Sequence, residues 1–157
     1  SFNKAYSPWL YEKLNKNDSG IKVKIVKFTY VYFILITIVS ITLGLISSCL
    51  INIIASKQYH DAYSVVIWIA LGNAFNGMYF MVTNYIFYVY KTNLLAIITI
   101  MTGIINLFLT FFMVKYMKLA GAALSFMIVN AISFIFTWYL SSKVYKMPWK
   151  MKEIWKH

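Results

Sequence analysis

The sequence predicts an all-α integral membrane protein with four transmembrane helices. Three observations carry that prediction. Of 157 residues, 61% are hydrophobic and only 12% are charged, whereas soluble domains are about half apolar and about a quarter charged. Four uncharged stretches, residues 28–54, 62–90, 92–114 and 119–142, each reach the length of about 20 residues that a helix needs to cross a bilayer core. The lysines flank these stretches instead of interrupting them. A chain this short has no volume in which to hide four uncharged helices from water.

Residues 1–27 form a segment of a different kind, a cytoplasmic or interfacial linker. Phe2, Tyr6, Trp9 and Leu10 fall near one helical face while Lys4 and Lys13 point elsewhere. That spacing suggests the tail of an upstream helix or a helix lying in the interface. Residues 15–20, Asn-Lys-Asn-Asp-Ser-Gly, are a turn-rich break. The four spans follow, joined by gaps at 56–61, at Lys91 and at 115–118. Gaps this short force neighbouring spans to run antiparallel. Residues 143–157 close the chain as a basic tail in which Lys alternates with Tyr145, Trp149 and Trp155. Such a tail is expected to lie on an anionic inner leaflet and anchor the topology.

The chain has fifteen lysines, no arginine and four acids, for a net charge of +11. Lys4, Lys13, Lys16, Lys22, Lys24, Lys27, Lys91, Lys143, Lys146, Lys150, Lys152 and Lys156 fall on one side of the expected topology. Lys57, Lys115 and Lys118 fall on the other. Twelve against three places both termini in the cytoplasm by the positive-inside rule. Basicity concentrated at span ends also argues against nucleic acid as a partner. The chain begins at Ser1, without an initiator Met or a signal-peptide pattern, and is expected to be a piece of a longer protein.

Several function classes find no support in the residues. No acid or base lies deep in any of the four stretches, so coupling through a buried carboxylate has no carrier there. The sole cysteine, Cys49, has no partner in the chain and reads as a small packing residue. His60 and Asp61 sit in the expected outer loop. No Cys/His metal cluster, nucleophile–base constellation or Gly-rich phosphate loop is visible. Catalysis, a metal and a cofactor are therefore not expected.

The polar signal inside the spans is amide and hydroxyl. Asn73, Gly77, Asn84 and Lys91 fall close to one line on the second span, with Asn76 and Thr83 beside it. That stripe is about 27 Å long at about 1.5 Å per residue. The third span carries Thr99, Thr102, Gly103, Asn106 and Thr110 on one face. The fourth carries Asn130, Ser133, Thr137 and Ser141, and the first Thr37, Ser40, Gly44, Ser47 and Ser48. Two readings fit such stripes. Small and hydroxyl residues permit close helix approach and amides bond across helices. Alternatively the amides line a hydrated cavity, because an amide facing lipid has no partner. Ser40, Gly44 and Ser48 read as packing. Asn106 and Asn130 read as interhelical hydrogen bonds. Asn73, Asn76, Thr83, Asn84 and Lys91 are the candidates for a cavity.

A series of motifs then carries a resemblance. Tyr6-Ser7-Pro8-Trp9-Leu10-Tyr11 precedes a Lys-rich segment. Tyr59 and Ala62 form a Tyr-x-x-Ala loop leading into residues 69–72 and Asn76-Gly77-Met78-Tyr79. Lys91-Thr92, Asn106-Leu107 with Leu109, and Gly121-Ala122-Ala123 with Ser125 follow in order. In this order and spacing the chain resembles the C-terminal part of the bacterial polysaccharide-repeat-unit flippases, the O-antigen and capsule exporters. They belong to the multidrug/oligosaccharidyl-lipid/polysaccharide exporter superfamily. The departure is at the turn before Gly121, where the family often has a further Gly or a Pro and this chain has Met117 and Lys118.

The resemblance implies the last four spans of a two-lobe transporter of about 12–14 helices in the bacterial inner membrane. It implies a polyprenyl-diphosphate-linked oligosaccharide as substrate, flipped by alternating access with no bond made or broken. Membrane lipids, the N-terminal lobe of the same transporter and a polysaccharide polymerase are the implied partners. Asn73, Asn76, Thr83 and Asn84 would then line the translocation path, and Lys91 would meet the diphosphate. The alternatives are a drug or small-solute exporter of the same superfamily, a four-helix transporter acting as a dimer, and a non-transporting membrane scaffold.

Overall fold

A computed structural model describes residues 2–16, 18–54 and 62–149. Among these, every regular element is a helix: α1 spans Phe2–Asn15, α2 Ser19–Ile54, α3 Ala62–Tyr88 and α4 Thr92–Val144. Helices α2, α3 and α4 are long and apolar enough to cross a membrane. Their outward faces suit lipid and not water: Leu45 is 64% exposed, Leu107 75% and Phe111 69%. The expected turn at 56–61 lies outside the described residues.

The break at 15–20 has a clear cause. The Asp18 carboxylate accepts from the Gly20 N–H at 2.9 Å and caps α2. Helix α2 thereby starts nine residues ahead of the uncharged run. Ile25 and Val26, between the lysines, are buried and give this basic turn a packed face. At the end of α3, the Lys91 N–H reaches the Ile86 carbonyl and the Tyr90 N–H the Phe87 carbonyl. Tyr90 takes a φ of 56°. This is a Schellman closure with tyrosine where glycine is usual.

Helix α4 contains the third and fourth expected spans. Lys118 breaks it, with φ 49° and ψ −126°. A straight helix would hold Thr110 and Ser125 about 22 Å apart, yet their hydroxyl oxygens are 3.0 Å apart. The chain therefore doubles back at Lys118, which brings Thr110 and Met113 beside Ser125 and Gly121. The reversal is tighter than the four-residue turn expected at 115–118. Gly121 makes it possible, because a Cβ there would overlap the Met113 carbonyl. Lys118 bears a conformation that suits glycine, at a cost of about 1–3 kcal/mol. Lys118→Gly is expected to raise the stability of the purified protein by about 1 kcal/mol in a thermal melt, after the entropy cost of glycine. An unchanged or lower Tm would refute strain at this turn.

Contacts sort the helix ends into two groups. The Tyr88 hydroxyl donates to Asn15 Oδ1 at 2.8 Å, and Tyr145 lies against Tyr85 and Tyr88. This end gathers Lys13, Lys16, Lys22, Lys91, Lys143 and Lys146. At the far end Gly44 meets Ile67, and Gly72 admits the Phe126 ring and brings Met127 Cα to 3.2 Å from where a Cβ would stand. The core lies between, built from Leu10, Leu14, Phe33, Met81, Val82, Tyr85 and Phe134. The face of α1 differs in detail from the expected one: Tyr6, Leu10 and Leu14 are buried and Trp9 is 41% exposed. Residues 145–149 do not lie free. The Tyr30 hydroxyl donates to the Trp149 carbonyl at 3.0 Å, and Trp149 packs on Tyr30, Tyr85 and Trp138. Trp155 lies outside the described residues.

Candidate functional site

Helices α1, α2 and α3 converge around an open cavity of about 480 Å³. Its lining comprises Asn3, Lys4 and Ser7 of α1, Tyr32 of α2, and Gly77, Phe80 and Met81 of α3. No acid lines it. Gly77 makes room for it, since a Cβ there would stand 2.9 Å from the Tyr32 hydroxyl oxygen and 2.7 Å from Ile36 Cδ1. Pro8 lies inside α1 and has no N–H to offer the Lys4 carbonyl one turn back. A backbone acceptor is thereby freed beside the cavity. Lys4 itself is exposed.

One wall is fixed by an amide network. Asn84 is 2% exposed. Its Nδ2 donates to Asn3 Oδ1 at 2.9 Å and to the Phe80 carbonyl at 3.0 Å. Ser7 Oγ lies 2.8 Å from Asn84 Oδ1 and 2.8 Å from the Asn3 carbonyl, so its one proton serves two acceptors. Tyr6, Thr29 and Tyr85 are also buried, and the Thr29 hydroxyl donates to the Ile25 carbonyl of its own helix at 2.9 Å.

The five stripe residues of α3 therefore separate. Asn73 is exposed and Asn76 half-buried, and neither is part of the cavity lining. Asn73 Nδ2 also donates to its own Ile69 carbonyl at 2.9 Å. Thr83 is buried and donates to the Tyr79 carbonyl at 2.7 Å. Asn84 is consumed by α1. Lys91 stands past the end of α3, exposed, at the start of α4. The face from Asn73 to Lys91 is thus not one open track, because α1 covers its middle. Sequence periodicity could not place α1 there. The signal that was present is the polar pair Asn3 and Ser7, four residues apart and in line with the buried Leu10 and Leu14 on α1.

Asn106 and Asn130 require a correction. Asn106 Oδ1 accepts from Thr110 of its own helix at 2.9 Å. Asn130 Nδ2 donates to its own Phe126 carbonyl at 2.8 Å. Among the described residues neither amide bonds to another helix, although Thr110, the partner of Asn106, also meets Ser125 across the reversal. The cavity residues Asn3, Lys4, Ser7 and Tyr32 were not among those singled out from sequence.

Comparison with protein-family models, curated proteins and solved structures finds no match to this chain.

Proposed function

We propose that the chain is part of a transporter that flips polyprenyl-diphosphate-linked oligosaccharide repeat units across a bacterial inner membrane by alternating access. In this reading it supplies four antiparallel spans of the second lobe, with both termini cytoplasmic, and the N-terminal lobe closes the path. The observation that carries the reading is the cavity between α1, α2 and α3. Its described lining offers an ammonium group, an amide, two hydroxyls and aromatic faces, and no carboxylate.

Each part of such a substrate has a matching group. Sugar hydroxyls exchange hydrogen bonds with Asn3, Ser7, Tyr32, Asn73 and Asn76, and a sugar face rests on Phe80. The diphosphate meets Lys4 at the cavity, after Lys91 at the lysine-rich end. A charge-assisted bond of this kind contributes about 1.5–3 kcal/mol. The prenyl tail stays in lipid because the cavity is open. No bond is made or broken, so the work is binding and reorientation alone. The gathering of six described lysines at one end supports the topology.

Export by the full-length transporter tests the reading. Lys4→Ala is expected to lower export per molecule about tenfold, the equivalent of about 1.4 kcal/mol, at unchanged protein level. Lys91→Ala is expected to do less, because Lys91 lies outside the cavity lining. Wild-type export per molecule in both variants would eliminate the cavity as the path.

A further inference from the structure

We propose that a second cleft, at the lysine-rich end, is a binding site for the headgroup of an anionic phospholipid. The cleft measures about 710 Å³ and lies between the start of α2 and the strap 145–149. Asp18, Ser19, Gly20, Lys22 and Val23 form one wall, and Lys146, Met147 and Pro148 the other. Two cations from separate elements thus face one space, which a phosphodiester bridges.

Three features shape the cleft for that occupant. The strap is held in place by the Tyr30–Trp149 hydrogen bond and by Tyr145 stacked on Tyr85. Lys22 Nζ is drawn toward the strap, 5.4 Å from the centre of the Tyr145 ring. Asp18, the one acid among the described lining residues, is engaged in capping through the Gly20 N–H at 2.9 Å. Val23, Met147 and Pro148 supply an apolar wall for glycerol and the first acyl carbons. The depth also suits a lipid. Lys22 precedes the uncharged run at Phe28 by six residues, about 9 Å along the helix, which is the scale of the headgroup layer. Basic pockets at this depth on the lysine-rich side of a membrane protein recognise anionic headgroups. Free phosphate shares the chemistry but has no use for the apolar wall.

The test is native mass spectrometry of the full-length protein titrated separately with phosphatidylglycerol and phosphatidylcholine. Lys22→Gln with Lys146→Gln is expected to weaken phosphatidylglycerol binding about thirtyfold, at about 1 kcal/mol per lysine. Phosphatidylcholine binding stays unchanged. Lys115→Gln with Lys118→Gln removes equal charge at the opposite end and leaves phosphatidylglycerol binding intact. Asp18→Asn retains a capping side chain, removes the opposing charge and tightens binding about fivefold, a gain that misfolding does not produce. Equal losses in the two lysine pairs, or no gain with Asp18→Asn, would overturn the site. Displacement of phosphatidylglycerol by inorganic phosphate would overturn the assignment to lipid.

Discussion

Replacing Asn84 with leucine is expected to destabilise the protein by about 1–3 kcal/mol, the cost of leaving buried polar groups without partners. The variant removes the Asn84 donor from Asn3 Oδ1, which keeps only the longer 3.4 Å contact with Ser7, and withdraws an acceptor from Ser7, which loosens the start of α1 from α3. A thermal melt of the purified protein, together with its level in membranes, checks the result. A double-mutant cycle with Ser7→Ala should return a coupling energy of about 1 kcal/mol, within the range for hydrogen bonds between membrane helices. Unchanged stability with lowered export would place Asn84 on an open path and not in a packed joint.

Gly121→Val is expected to have the largest effect, a loss of more than about 3 kcal/mol or failure to accumulate. The added Cβ meets the Met113 backbone, and a carbonyl in a helix cannot turn aside as a side chain can. Overpacking at a yielding site costs about 1–3 kcal/mol; here relief requires opening the hairpin and breaking the Thr110–Ser125 contact. Gly103→Ala is the control. A Cβ at Gly103 meets nothing within 4 Å, so alanine should stabilise by about 0.5–1 kcal/mol through the lost freedom of glycine. If Gly121→Val melts like Gly103→Ala, the reversal at Lys118 is not the folded arrangement.

These two residues show how far a linear reading reaches. Asn84 was visible as a polar position on an apolar helix, and only two outcomes were open to it, a partner or water. Which outcome held depended on α1, whose contact with α3 spans 77 residues of chain between Ser7 and Asn84. Gly121 was visible as a small residue beside a lysine-flanked gap. The hairpin it permits is set by a backbone approach that composition does not encode. Asn106 and Asn130 failed as interhelical bonds for the same reason. An amide can find a partner on its own helix, the Phe126 carbonyl for Asn130 and the Thr110 hydroxyl for Asn106, so its type does not disclose its neighbour.

Helical class, apolar length and the separation of lysines were determined by the sequence alone. They follow from local rules: charge excluded from long apolar runs, a helical backbone that satisfies itself, and caps such as Asp18. The tertiary structure alone decided which polar groups were left to serve a ligand. It joined Asn84 to Asn3 and Ser7, left Lys4 and Tyr32 around a cavity, and folded Trp149 back over Tyr30 to form a second cleft. Hydrogen bonds and close approach between distant segments are long-range choices that local patterns do not encode.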